Sequence, residues 1–198
     1  MVFVAWAMLA VTGLGLVVDF DVTPGNRGEP PQQWPAGTAA SPNPDRPTLL
    51  MFAHPRCPCT RASLAELGQV LAACPGAVET RVFFRTPAHP TGEWAETPLW
   101  NEAAKLPQTT VLCDPDGEAA KRFEVKTSGH VLLYGSDGRL LFSGGITGSR
   151  GHEGDNPGRS SLVSLLSGKS TSSRQNAVFG CSLFEMSQSQ VGKPCQKP

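Results

Sequence analysis

Two cysteines one residue apart, Cys57 and Cys59, stand in the run His54-Pro55-Arg56-Cys57-Pro58-Cys59. A short apolar stretch precedes this run, and a helical pattern follows it at once. Free amide N–H groups at the first turn of a helix favour a thiolate over a thiol, so thiols at a strand-to-helix junction point to exchange chemistry. Arg56 and Arg61 add positive charge nearby. A disulfide between residues two apart closes a very small ring, which Pro58 stiffens. Such a bridge is strained and easily reduced, which makes it a poor staple but a workable redox centre. The plain alternative is a pair of inert or merely cross-linking thiols.

The elements that must hold these sulfurs follow from periodicity. Residues 48–53 (TLLMFA) form a continuous apolar run and read as a buried strand. Pro55 and Pro58 hold off the helix until about Cys59, since each drives its predecessor toward extended geometry. Thr60 or Ser63 is placed to cap it, and Ser63 with Glu66 fits a capping box. Leu64, Leu67, Leu71 and Cys74 then share one helical face. Further on, 78–86 reads as a strand, 93–106 as a helix weakened by Pro98, 109–113 as a strand, and 117–123 as a short helix. Residues 131–134 and 140–142 flank Ser136-Asp137-Gly138, a hairpin signature, and 160–166 closes with a helix. Strands alternating with helices define an α/β class.

The 17 basic and 17 acidic residues cancel, which removes the electrostatic argument for nucleic acid as a partner. Residues 2–18 (VFVAWAMLAVTGLGLVV) carry no charge and reach the short end of a membrane span at about 1.5 Å per residue. The domain reading is an anchor over 1–20, a Pro/Gly-rich linker over 21–46, a globular domain over 47–168 and a tail over 169–198 that docks on the domain. The linker is expected to be a semi-extended tether, too poor in apolar residues to fold by itself. Six cysteines suit an oxidising compartment. The expected address is therefore the cytoplasmic membrane, single-pass, with the domain on the periplasmic side.

Two other stretches carry chemistry. The loop 144–159 (GGITGSRGHEGDNPGR) is polar and Gly-rich, and lies between a strand and a helix. Arg150, His152, Asp155 and Asn156 make it a candidate substrate or partner loop beside the thiols. It lacks the Lys-Ser/Thr ending of a phosphate-binding loop and the acid spacing of a calcium loop. Cys181, inside VFGCSLF, is a candidate resolving thiol, with pairing to Cys195 as the alternative. Cys74 reads as plain core, and Cys113 as similar.

The strand, Cys-Pro-Cys and helix together resemble the first β-α unit of the thioredoxin-like superfamily. There the strand leads into Cys-x-x-Cys, often with proline before the second cysteine. Pro58-Cys59 matches the second half of that motif, while Arg56 stands in the place of the usual attacking cysteine and Cys57 is shifted inward by one. The phrases HPRCPCTRAS, SGGITGSRGHEGDNPGR and VFGCSLF also resemble a small group of bacterial envelope proteins sometimes labelled RedB. The resemblance implies a three-layer sandwich around a central mixed sheet over about 45–168, with one inserted strand. It further implies that Ser128-Gly129-His130 replaces the loop that carries a cis-proline in that superfamily, which would bring His130 beside the thiols as a base or metal ligand.

The expected activity is thiol–disulfide exchange on a protein or small thiol substrate, catalysed by Cys57, Cys59, His130 and Cys181 without a cofactor. In the leading form Cys57 attacks and Cys59 or Cys181 resolves. The alternative is a copper-binding protein using His54, Cys57, Cys59 and His130, since thiolate and imidazole suit Cu(I).

Overall fold

A computed structural model of the chain describes residues 2–38, 41–88 and 97–184. Strand β1 (Thr48–Ala53) is buried at every position, as its unbroken apolar run requires. It pairs in parallel with β2 (Glu79–Thr86) and antiparallel with β4 (His130–Tyr134). Strand β3 (Thr109–Pro115) adds in parallel outside β2, and β5 (Leu140–Gly144) closes the hairpin with β4. The sheet order is β3-β2-β1-β4-β5. Because side chains alternate across the sheet, each face builds its own core. Leu49, Met51, Val131 and Leu133 pack against Leu64, Leu67 and Leu71 of helix α2 (Cys59–Ala73). Leu50, Phe52, Leu132 and Tyr134 pack on the other face against Phe123, Val125 and Leu183. The result is a mixed-sheet, three-layer α/β domain of thioredoxin-like fold, with β3 as the inserted strand.

Local chemistry departs from the sequence reading in several places. Helix α2 opens at Cys59 with Pro58 in the N-cap position and no side-chain cap. Ser63 donates instead to the Cys59 carbonyl, and Glu66, buried, accepts from the Gly154 N–H rather than from the helix start. Helix α3 (Pro98–Ala104) starts at Pro98 rather than being weakened by it: Thr97 caps the helix, and proline at the first turn gives up no hydrogen bond. The start of the expected 93–106 helix lies outside the described residues. Helix α4 (Glu118–Arg122) has its first amides held by the buried Asp114 carboxylate, 2.7 Å from the Ala119 nitrogen. Helix α5 (Pro157–Leu166) is capped by Asn156. Cys74 is core, as read, but Cys113 is exposed, because edge strand β3 leaves that face uncovered.

The largest correction concerns the linker. Residues after α1 (Val2–Val22) do not form a free tether but a strap laid across the sheet's second face. Gly28 bridges Val125 and Gln33 bridges Arg139. The Tyr134 hydroxyl donates to the Pro31 carbonyl at 2.9 Å. Trp34 packs edge-on against Phe123 and Tyr134, with ring centres 5.1 Å away in each case. The sheet face would otherwise stay wet, and a few large side chains are enough to cover it. Helix α1 itself has no buried residue, and at 21 residues with a mean hydropathy of 2.0 it is long and apolar enough to cross a membrane.

Candidate redox site

The turn from His54 to Cys57 is closed by the Cys57 N–H donating to the His54 carbonyl, and α2 starts two residues later. This places Cys57 beneath the loop that precedes β4. In that loop Gly129 takes φ +85, and a Cβ there would sit 2.7 Å from the Ser63 hydroxyl, so only glycine fits. No cis peptide bond occurs among the described residues. Ser128 knits the loop to the active turn: its hydroxyl accepts from the His54 N–H at 2.8 Å and lies 2.9 Å from that of Thr60.

The chain's last described segment lies over the same spot. The Ser128 N–H donates to the Cys181 carbonyl and the Leu183 N–H to the Lys126 carbonyl. Gly180 makes this approach possible, since a Cβ there would stand 2.0 Å from the Ser128 carbonyl oxygen. The Cys181 sulfur thereby comes to rest 3.0 Å from the Cys57 sulfur.

The electrostatics of the three thiols diverge. The Cys57 thiol is pulled down to about 5, first by its hydrogen bond to Cys181 and then by the backbone N–H groups of Cys181 and Cys59 and the Thr60 hydroxyl, all against the opposing effect of burial. The Cys181 thiol is pushed up, mainly by sharing a hydrogen with Cys57 and by burial. The hydrogen bond between the two sulfurs thus favours ionising Cys57 over Cys181. Burial and the Cys57 charge push Cys59 up, while Arg150 and the Gly151 amide pull the other way. The helix start thus serves Cys57 through the Cys59 amide rather than Cys59 itself. Burial lowers His54, while the Cys57 charge raises it; its Nδ1 accepts from the Arg56 N–H.

The remaining predicted residues separate. His130 is fully buried on the face of Leu132 and Tyr134, opposite α2, with its Nε2 2.9 Å from the Ser143 hydroxyl. The β4 register, with His130 across from Phe52, puts its side chain on the sheet face away from the thiol-bearing helix. Burial pushes it down to about 3, so it is neutral at physiological pH. Arg150 does join the site: its guanidinium donates to the Gly180 carbonyl and, at 3.0 Å, to the Phe20 carbonyl at the end of α1. Asp155 and Asn156 instead build the loop. Arg159 pairs with Asp155 and with the buried Glu66, which also accepts from the Gly154 N–H and from Asn156. His152 is exposed on that loop. Cys195 lies outside the described residues. Among the described residues no three His, Cys, Asp or Glu side chains cluster as metal ligands. The sequence reading places Ser128 in the loop beside the thiols without a role and assigns none to Gly180 either; the glycine directly before Cys181 is the available signal for the second.

No family model and no curated protein matches the chain. Solved structures do. An uncharacterized conserved protein from Geobacillus kaustophilus aligns with a TM-score of 0.59 at 20% identity, covering 83% of this chain and 93% of that one. A hypothetical protein from Sinorhizobium meliloti aligns with a TM-score of 0.56 at 19% identity, over 83% and 96%. A secreted Mycobacterium tuberculosis disulfide oxidoreductase homologous to E. coli DsbE shares less, with a TM-score of 0.44 at 22% identity over 62% and 81%. By the order and directions of its mixed sheet, β3-β2-β1-β4-β5, the fold is thioredoxin-like.

Proposed function

We propose that the protein is a membrane-tethered thiol–disulfide oxidoreductase whose working couple is Cys57 with Cys181, and that Cys59 is an auxiliary thiol. The 3.0 Å separation of the two sulfurs carries this reading. Two sulfurs that close, one ionised and one bearing the shared proton, need only lose two electrons and that proton to become a disulfide. The reduced couple is a thiolate beside a thiol. The oxidised couple is the Cys57–Cys181 bond, exchanging with a protein or small thiol substrate. No cofactor is needed for either direction.

The tether is helix α1, with the domain on the periplasmic side of the cytoplasmic membrane. Its length, its hydropathy and the suitability of six cysteines to an oxidising compartment support that address. The resemblance to the envelope group labelled RedB belongs to the same proposal. The copper alternative retains His54, Cys57 and Cys59, but His130 sits on the opposite face of the sheet.

Disulfide exchange with full-length protein tests the reading. Cys57→Ser and Cys181→Ser are each expected to abolish exchange, because each removes one half of the couple. Full activity in both variants would end the proposal. Tight one-to-one Cu(I) binding lost in Cys57→Ser, with exchange absent from the wild type, would favour the metal reading instead.

A further inference from the structure

The two sulfurs of the couple differ in access. Cys57 is 1% exposed, sealed under Ser128, Thr60 and the C-terminal segment. Cys59 is 9% exposed. Cys181 is half-buried and is the most open thiol of the three. It sits on a segment that rides over the domain surface, with a glycine on one side and Ser182 on the other. An incoming sulfur must approach along the axis of the bond it breaks, so it reaches the outer sulfur first.

We infer that substrate thiols enter at Cys181, that Cys57 is the internal leaving group, and that the centre works as a disulfide donor. This rests on the exchange activity proposed above and assigns it a direction and an entry atom. A substrate thiolate attacks the Cys181 sulfur of the Cys57–Cys181 disulfide. The substrate–Cys181 bond forms, the Cys57–Cys181 bond breaks, and Cys57 departs as a thiolate. A second substrate thiolate then attacks the substrate sulfur of the mixed disulfide and expels Cys181, which takes up a proton. The substrate loses two electrons and becomes a disulfide; the centre gains them and becomes the thiolate–thiol pair. A second disulfide compound of higher potential resets it by the reverse exchange.

Two observations support the direction. Departure of Cys57 is eased by the Cys181 and Cys59 amides and the Thr60 hydroxyl, which still bond its thiolate while Cys181 is in the mixed disulfide, and stabilising the reduced form makes the disulfide more oxidising. The attacking role expected of Cys57 from its place in the turn is blocked here by burial, because Cys57 has no open face for a protein disulfide.

The experiment uses oxidised full-length protein, wild type and Cys59→Ser, in detergent or nanodiscs. Glutathione serves as the thiol, at a low molar ratio so that the first mixed disulfide is captured before a second glutathione attacks it. After a short reaction and acid quench, free thiols are alkylated and the adducts located by mass spectrometry. The expected result is glutathione on Cys181 and alkyl on Cys57, with Cys181 adducts ahead by at least about tenfold in both proteins. Glutathione predominantly on Cys57 or Cys59 would overturn the inference while leaving the oxidoreductase reading intact. Failure of the oxidised chain to contain a Cys57–Cys181 bond would remove the proposed function itself, and this inference with it.

Discussion

A thiol is made acidic here by a neighbouring thiol more than by a helix. Cys57 accepts hydrogen bonds from three directions, and Cys181 contributes the largest share. In Cys181→Ala that hydrogen bond is lost, so the Cys57 titration should rise from about 5 toward the ordinary thiol range of about 8.5. Thiolate absorbance or alkylation rate against pH would read this directly; an unmoved midpoint would refute the shared-proton picture. His130 yields a second outcome at this scale. Its ionisation is lowered to about 3 from an ordinary 6.5 because burial penalises the charged form. The unfolded chain therefore binds a proton that the folded chain refuses. Stability is full above about 6.5 and falls as pH drops toward 3. Denaturant midpoints at pH 7 and pH 4 should differ in the wild type, and the gap should narrow in His130→Gln.

Elements matter through how closely they approach one another. The Cys181 segment can lie on the Ser128 loop only because Gly180 lacks a side chain. Gly180→Ala must push the segment off the loop, since the added carbon would meet a backbone carbonyl at 2.0 Å. We expect a cost of about 1–3 kcal/mol and a Cys57 that titrates higher, because its sulfur partner moves away. Urea unfolding with thiol titration in the same variant would check both; a Cys57 midpoint unchanged from the wild type would show that the segment is not held by this contact. The opposite wall of the site is fixed differently. Glu66, 3% exposed along its side chain, binds Arg159 at 2.7 Å and gathers the Gly154 amide and Asn156 around it. The polar loop 144–159 is thus ordered by a buried carboxylate on α2, with Asn156 and Arg159 engaged in holding it.

For the whole molecule, the decisive contacts are between segments far apart in the chain. The strap after α1 covers the second core, with Trp34 wedged between Phe123 and Tyr134. Trp34→Ala should cost roughly 2–4 kcal/mol, toward the low side for large-to-small changes because the indole is only partly buried. Limited proteolysis offers a matching measurement: bonds within 24–34 should resist cleavage in the wild type and open in the variant. Rapid cleavage there in the wild type would restore the free tether. Arg150 links the end of α1 to the peptide carrying Cys181, so the apolar helix and the thiol face share one side chain.

What the sequence determined by itself was local. The apolar run 48–53, the prolines that delay the helix, the Leu64/Leu67/Leu71 face and the Asp-Gly hairpin each follow from short-range sterics and periodicity, and each appears at its place. The pairing of thiols did not follow from spacing. Cys57 has Cys59 two residues away and Cys181 more than a hundred away, yet its sulfur partner is Cys181. Only packing of the C-terminal segment on the Ser128 loop decides that. The facing of His130 likewise hung on one residue of register, which no local rule sets. The strap read as a tether because its own composition cannot form a core; it is ordered by borrowing the sheet's exposed face, a surface that exists only once the strands have assembled.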